Sequence, residues 1–364
     1  MKSIVKASQR TVVEDAIVEA TNGISSPDGI IFMSDYARFE QFSSKLSEMY
    51  PNADIIGTAG TVYCGNMIDD RNIFIITAIT GDASLSGGIL EGVSKTPLRY
   101  MYRLSDSVRK VSPGEDNTVC IEFCTSNEEV LVSSLNVVLD PAGIGLAGGT
   151  VFGAPEGRPS LVSYNGKIYD DACAYMVIKN KSGKAYVIRE NIYDKGDGPE
   201  HTATKVNLAK KELIELDNRP AADVYMEETG VSRNELVDNV MKAPFGRVID
   251  QDIYISSMNG VTSSGSITNY KRINQNDSLC ILKLLDYCEI NRDTRDEIKG
   301  LVSKPSLIFS INCIYRYLLF QDEGYLNEFL RDMSSVAPFV GYIGGGEQYN
   351  RQHVNQTMVC AVFA

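Results

Sequence analysis

Thr118-Val-Cys-Ile-Glu-Phe-Cys124, then Asn127 to Leu139, Ile144-Gly-Leu-Ala-Gly-Gly149 and Asp171-Ala-Cys-Ala-Tyr-Met-Val-Ile178 read as strand, helix, strand and strand. The first and last are apolar runs of buried-strand length, the second has helical spacing, and the third is marked by glycine. The order occurs twice more. Upstream it runs Gly29-Ile-Ile-Phe-Met-Ser-Asp35, Phe39 to Tyr50, Ile55-Ile-Gly-Thr-Ala-Gly60 and Asn72 to Thr80. Downstream it runs Ser306 to Cys313, helical Ile314 to Phe320 and Tyr325 to Ser334, Val340-Gly-Tyr-Ile-Gly-Gly345 and Gln356 to Phe363. Small or polar residues close each opening strand: Ser34, Cys124-Thr125 and Cys313. The expected fold is α/β, with mixed (α+β) sheets built from repeated βαββ units of about fifty to sixty residues, too few and too diverged for a solenoid.

A chain of 364 residues exceeds one ordinary core, so two domains are expected. The turn Asn218-Arg-Pro220 places their boundary, giving 1–218 and 219–364. Before it, Asn165-Gly166 predicts a tight hairpin, Ala185 to Arg189 a strand, Asn191 to Pro199 turns and Asn207 to Asp217 a helix. Beyond it, Ala221 to Thr229 and Ser232 to Met241 read as helices, the second capped by Ser232 with Glu235. Arg247 to Leu285 reads as β-rich, with Ser263-Ser-Gly265 as a turn, and a helix is expected around Asp293 to Val302.

Net charge is −12, from 35 basic and 47 acidic residues, and no basic cluster stands out. Nucleic acid and anionic membranes are poor partners for such a surface. Apolar stretches are too short for membrane insertion, and the N-terminus lacks a signal peptide's apolar segment, so a cytoplasmic protein is expected. The eight cysteines form no Cys-x-x-Cys pair and sit mostly in apolar runs, as buried reduced thiols do. Two histidines cannot build a multi-histidine metal centre, and no metal site is expected.

Several segments together resemble the FIST family (F-box and intracellular signal transduction proteins), as an N-terminal followed by a C-terminal FIST domain. They are Ala53 to Gly60, Gly148-Gly-Thr-Val-Phe-Gly153 leading to Tyr164 to Ala172, Ser310 to Arg316, Gly341 to Glu347, and His353-Val-Asn-Gln-Thr357. The resemblance implies a cytoplasmic sensory module that binds a small ligand, an amino acid or similar zwitterion being the usual proposal. It also implies a separate signalling partner: a chemoreceptor, a histidine kinase or a cyclic-dinucleotide enzyme. Some relatives are reported to hold haem and sense nitric oxide, so haem is the one cofactor to consider, with His201, His353, a Cys or a Tyr as axial ligand. His201, in a Gly/Pro-rich loop, reads as solvated surface.

The candidate ligand residues gather near the C-terminus. A glycine run that includes Gly345 and Gly346 opens the backbone to a ligand. Arg316 can clamp a carboxylate bidentately while Glu347 takes an ammonium group; equally, the two can pair with each other and touch no ligand. His353, Asn355 and Thr357 share one face if they lie on one strand, and otherwise serve as caps. Tyr315 and Tyr349 supply walls or plain core aromatics. Cys313, at a strand-to-helix turn, is a further contact. It is also the nucleophile of the alternative reading, a cysteine-dependent enzyme with His353 as base. No Gly-x-Ser-x-Gly elbow and no paired hydrolytic carboxylates accompany it, so no catalytic constellation is expected.

Overall fold

The computed structural model describes residues 1–249 and 252–364. The fold is mixed α/β. Packing divides the chain into two compact units that interleave in sequence. The first holds residues 1–190, 292–353 and 358–364; the second holds 191–291 and 354–357. The linear boundary expected at 218/219 falls inside the second unit. The reason is that all three βαββ copies pack into the first unit, including the copy that ends the chain.

The repeat is built as the sequence spells it. Copy one has opening strand Gly29–Ser34, helix Phe39–Met49, glycine strand Asp54–Ala59 and closing strand Phe74–Thr80. Copy two has Thr118–Cys124, Glu128–Leu139, Gly145–Val151 and Ala172–Asn180. Copy three has Leu307–Cys313, helices Ile314–Asp322 and Leu326–Ser334, the long glycine strand Phe339–Tyr349 and closing strand Thr357–Phe363. In each, the opening strand lies between a parallel glycine strand and an antiparallel closing strand. Every residue of the three opening strands is buried, so both faces are covered as well as both edges, which is why each reads as a nearly continuous apolar run. The helix is the crossover that a parallel pair requires.

Register brings the copies into correspondence. Phe32, Glu122 and Ser310 of the opening strands face Gly57, Gly148 and Gly341 of the glycine strands. After the glycine strand each copy sends out a short hairpin strand: Val62–Cys64, Val162–Tyr164 and, continuous with the glycine strand, Glu347–Tyr349. None of these pairs with its own copy's glycine strand. Copy one's hairpin lies on copy three's glycine strand, copy two's on copy one's, and copy three's on copy two's. Tyr63, Ser163 and Gln348 thereby face the same three glycines, Gly341, Gly57 and Gly148. The backbone N–H groups of Gly65, Asn165 and Asn350 donate to the carbonyls of Phe339, Ile55 and Leu146 at 2.8, 2.9 and 2.9 Å. The three copies close into a ring with approximate three-fold correspondence.

Two local features serve this closure. The register breaks between Gly344 and Glu347, a bulge that turns copy three's strand onto copy two, and Gly346 there has φ of +147°, which favours glycine. The Asn165-Gly166 turn has both residues at positive φ, +46° and +82°, as its sequence predicts.

The second unit is mainly antiparallel sheet around strands His201–Asn207, Glu212–Leu216 and Ser278–Leu284. The helix expected over Asn207 to Asp217 is instead a short 3-10 turn and a strand. Its lysines and glutamates suit a helix, but pairing with His201–Asn207 and Ile267–Asn269 overrides that preference. Ala221–Thr229 is helical, whereas over Ser232 to Met241 only Asp238–Met241 is, as a 3-10 turn. Ser232 and Glu235 still bond to each other there. The β-rich reading of Arg247 to Leu285 holds apart from Asp250 and Gln251, which lie outside the described residues.

His201 is not solvated surface. It is buried at the start of a strand, with Nδ1 and Nε2 each 2.7 Å from a carboxylate oxygen, of Asp217 and Glu228 respectively. Burial pulls the imidazole toward neutrality, yet the two carboxylates outweigh it and raise its pKa overall. A histidine with a raised folded pKa contributes its full stability below the unfolded value of about 6.5, and loses it as pH climbs through the folded value. Asp217, held below the usual range by His201 despite its own partial burial, loses its contribution in acid. Thermal melts should therefore fall on going from pH 6 to pH 8.5. The His201→Gln variant should show a flatter profile over that interval, with its largest deficit at the acid end.

Candidate functional site

Copy three places the charged pair of the candidate site. Cys313 ends the opening strand and caps helix Ile314–Asp322, which carries Arg316 in its first turn. Arg316 is fully buried, and its Nη2 is ion-paired with Glu190, also buried, at the end of strand Ala185–Asn191. The guanidinium lies 4.6 Å from the ring centre of Phe320 and 5.3 Å from that of Phe329. Burial lowers its pKa to about 10, while Tyr325, Cys360, Glu347 and Tyr63 act the other way, so it stays charged at neutral pH. The direct Arg316–Glu347 pair considered from sequence is thus replaced by Arg316–Glu190. Glu347 remains within the electrostatic reach of Arg316, Tyr63 and Tyr342.

The remaining residues scatter. Gly345 and Gly346 form the bulge, with Gly345 beside the Phe152 ring. Tyr349 ends the strand under the Arg189 guanidinium, 5.3 Å from the ring centre. His353 is buried in strand Gln352–Val354. The shared strand face expected for His353, Asn355 and Thr357 does not form. The chain bends at Asn355-Gln356, with φ of +56° at Gln356, before the closing strand begins at Thr357. His353 belongs to the first unit; Asn355 and Thr357 belong to the second. In that second unit, Asn355 Oδ1 accepts from the Ser257 N–H at 3.5 Å.

Sequence reasoning passed over the residues that meet where the copies clasp. At Gly341, Tyr63 Oη and Ser310 Oγ bond at 2.6 Å. At Gly57, Ser163 Oγ bonds Ser43 Oγ at 2.6 Å. At Gly148 the facing groups are Glu122 and Gln348, both fully buried. Cys173 donates its S–H to Glu122 Oε2 at 3.3 Å, and Gln348 Nε2 donates to Cys124 Sγ at 3.3 Å. Burial raises the Glu122 pKa to about 8, against the opposing pull of Cys173 and the Gly149 backbone. The available signal was a lone carboxylate inside an otherwise apolar strand, Thr118 to Cys124.

A groove of about 570 Å³ opens elsewhere in the first unit, between copy one and the segment that follows it, lined by Asp28, Tyr50, Asp54, Leu85 and Lys110 among others. None of the candidate ligand residues proposed from sequence lines it. Among the described residues no cluster of His, Cys, Asp and Glu is arranged to hold a metal, and no helix is long and apolar enough to cross a membrane.

Residues 28–219 match the FIST N domain and residues 221–350 match the FIST C domain. The chain belongs to the FIST family. FIST domains are sensory signalling domains that bind small ligands. The two matched segments meet near residue 220, whereas the ring of this FIST chain draws on both. No curated protein matches it. Among solved structures, a chorismatase aligns over 100% of this chain and 98% of its own, at 9% identity and a TM-score of 0.37. A cyanuric acid hydrolase from A. caulinodans aligns over 100% and 99%, at 8% identity and 0.37. Another cyanuric acid hydrolase aligns over 100% and 99%, at 7% identity and 0.32. At such scores neither site nor chemistry is carried across to the FIST chain.

Proposed function

We propose that this FIST protein is a cytoplasmic sensor that reversibly binds a small carboxylate-bearing metabolite, an amino acid or similar zwitterion, at Arg316. One observation carries the reading. The buried Arg316 engages Glu190 through Nη2, while its Nε and Nη1 meet no hydrogen-bond acceptor among the described residues. A buried donor without an acceptor costs about 1–3 kcal/mol, more when charged. A ligand carboxylate that reaches this edge recovers that cost in a two-pronged bond of the kind guanidinium favours. Glu347, whose charge already acts on Arg316, is the group for the ligand's ammonium end. Output passes to a separate signalling protein, of the chemoreceptor, histidine-kinase or cyclic-dinucleotide class.

A ligand that binds only the folded state raises the melting temperature, by RT ln(1 + [L]/Kd) in free energy. Purified protein screened against amino acids, their deaminated acids and their amines should respond to carboxylates and not to simple amines. Calorimetric titration of Arg316→Lys, which keeps the charge beside Glu190 but loses the fork, should show affinity reduced at least tenfold. Equal affinity in that variant, or a panel without any carboxylate response, overturns the assignment.

A further inference from the structure

The three clasps are equivalent by register but not by chemistry. At Gly57 and Gly341 the polar groups satisfy one another, as the Ser43–Ser163 and Tyr63–Ser310 bonds show. At Gly148 they do not. Glu122 Oε1 and Gln348 Oε1 are both buried acceptors without a donor among the described residues. The Glu122 carboxyl lies directly over Gly148, where an added Cβ would come within 2.0 Å of Oε1. The groups around Glu122 are the thiols of Cys120 and Cys124 on its own strand, Cys173 on the closing strand and the backbone of Gly149. Tyr342 and, through Cys124, Glu128 add to the local field. None of these supplies a positive charge. A water molecule serves a neutral carboxyl, but once Glu122 ionises it leaves the carboxylate charge uncompensated. An ammonium nitrogen brings both N–H donors and the missing charge.

We propose that the clasp of copies two and three is a second ligand site, in which Glu122 and Gln348 hold an ammonium-type nitrogen across Gly148. The site is independent of the Arg316 edge and takes the opposite charge. Its occupant is either free ammonium or the head of a primary amine. Because burial keeps Glu122 protonated at neutral pH, binding displaces one proton from its carboxyl to solvent. Affinity therefore rises close to tenfold per pH unit below about 8, levels off above it, and falls again once the ammonium group itself loses its proton.

The experiment compares melting of the full chain at pH 8 in ammonium chloride, methylammonium chloride and sodium chloride at equal ionic strength. Ammonium should give a saturable rise of several degrees over sodium, lost in both Glu122→Gln and Gln348→Leu. A methylammonium response of equal or larger size assigns the site to an amine head, and its absence assigns it to free ammonium. The 15N spectrum of 15N-ammonium with wild-type protein should show a bound resonance that Glu122→Gln lacks, a readout that does not rest on variant stability. Titration of Glu122→Gln with a carboxylate that binds wild type should be unaffected, which separates this site from Arg316. Equal melting in ammonium and sodium, or a Glu122→Gln protein that keeps the ammonium response, overturns the proposal. In that case Glu122's own proton joins the two oxygens.

Discussion

Replacing Gly341 with Ala should unfold or severely destabilise the protein. An ideal Cβ at this position lies 1.9 Å from the Ser310 carbonyl oxygen and 2.7 Å from Tyr63 Oη. The first contact is with backbone in a central strand pair, so no rotamer change relieves it. Overpacking a core typically costs about 1–3 kcal/mol. A clash with backbone, joined to loss of the Tyr63–Ser310 bond, belongs at the top of that range or above it. Urea unfolding provides the measurement, and a loss under 1 kcal/mol would show that the clasp yields easily. Gly300→Ala is the matched control. It lies in helix Tyr287–Leu301 with nothing within 4 Å of its added Cβ, and should stabilise by about 0.5–1 kcal/mol.

The Arg316–Glu190 pair should show the second large effect, and a strongly non-additive one. Both side chains are fully buried. Removing one partner strands a charge in the interior, at a cost of about 3–5 kcal/mol. Arg316→Met and Glu190→Leu should each therefore destabilise severely by chemical denaturation. The double variant should recover most of that loss, because an apolar pair has no desolvation to offset. Recovery will be incomplete, since Arg316 also stacks near Phe320 and Phe329, a contribution of about 0.5–2 kcal/mol. Additive losses in the double variant would mean that the two groups act separately.

The repeated βαββ unit was legible because its signals are local. An opening strand buried on both faces is a continuous apolar run, and glycine recurs where the neighbouring strand must admit a bulky group. Ring closure was not legible. It depends on hairpin strands as short as Val62–Cys64, whose partners lie in another copy and whose three residues carry no usable period. The same holds at the candidate site. Arg316 stood out as a charge at an apolar strand-to-helix junction, but its partner Glu190 is 126 residues away, beyond any spacing rule. His353, Asn355 and Thr357 have the alternate spacing of a strand face, yet a positive φ at Gln356 turns the chain before Thr357. Glu122 is plain in the sequence as the one charged residue of Thr118 to Cys124. Its weight became apparent only once Gln348 was found opposite the same glycine.

The ring sets a timetable for synthesis. Tyr63, in the first copy, bonds Ser310, 247 residues later. At ribosomal rates of roughly 5–20 residues per second, the first hairpin waits about 12–50 s for its partner strand to emerge. Through that interval copy one carries an open β-edge, and every nascent chain presents it. Keeping that edge to three residues limits what another nascent chain can add to, which gives the brevity of Val62–Cys64 a use during translation as well as in the finished ring.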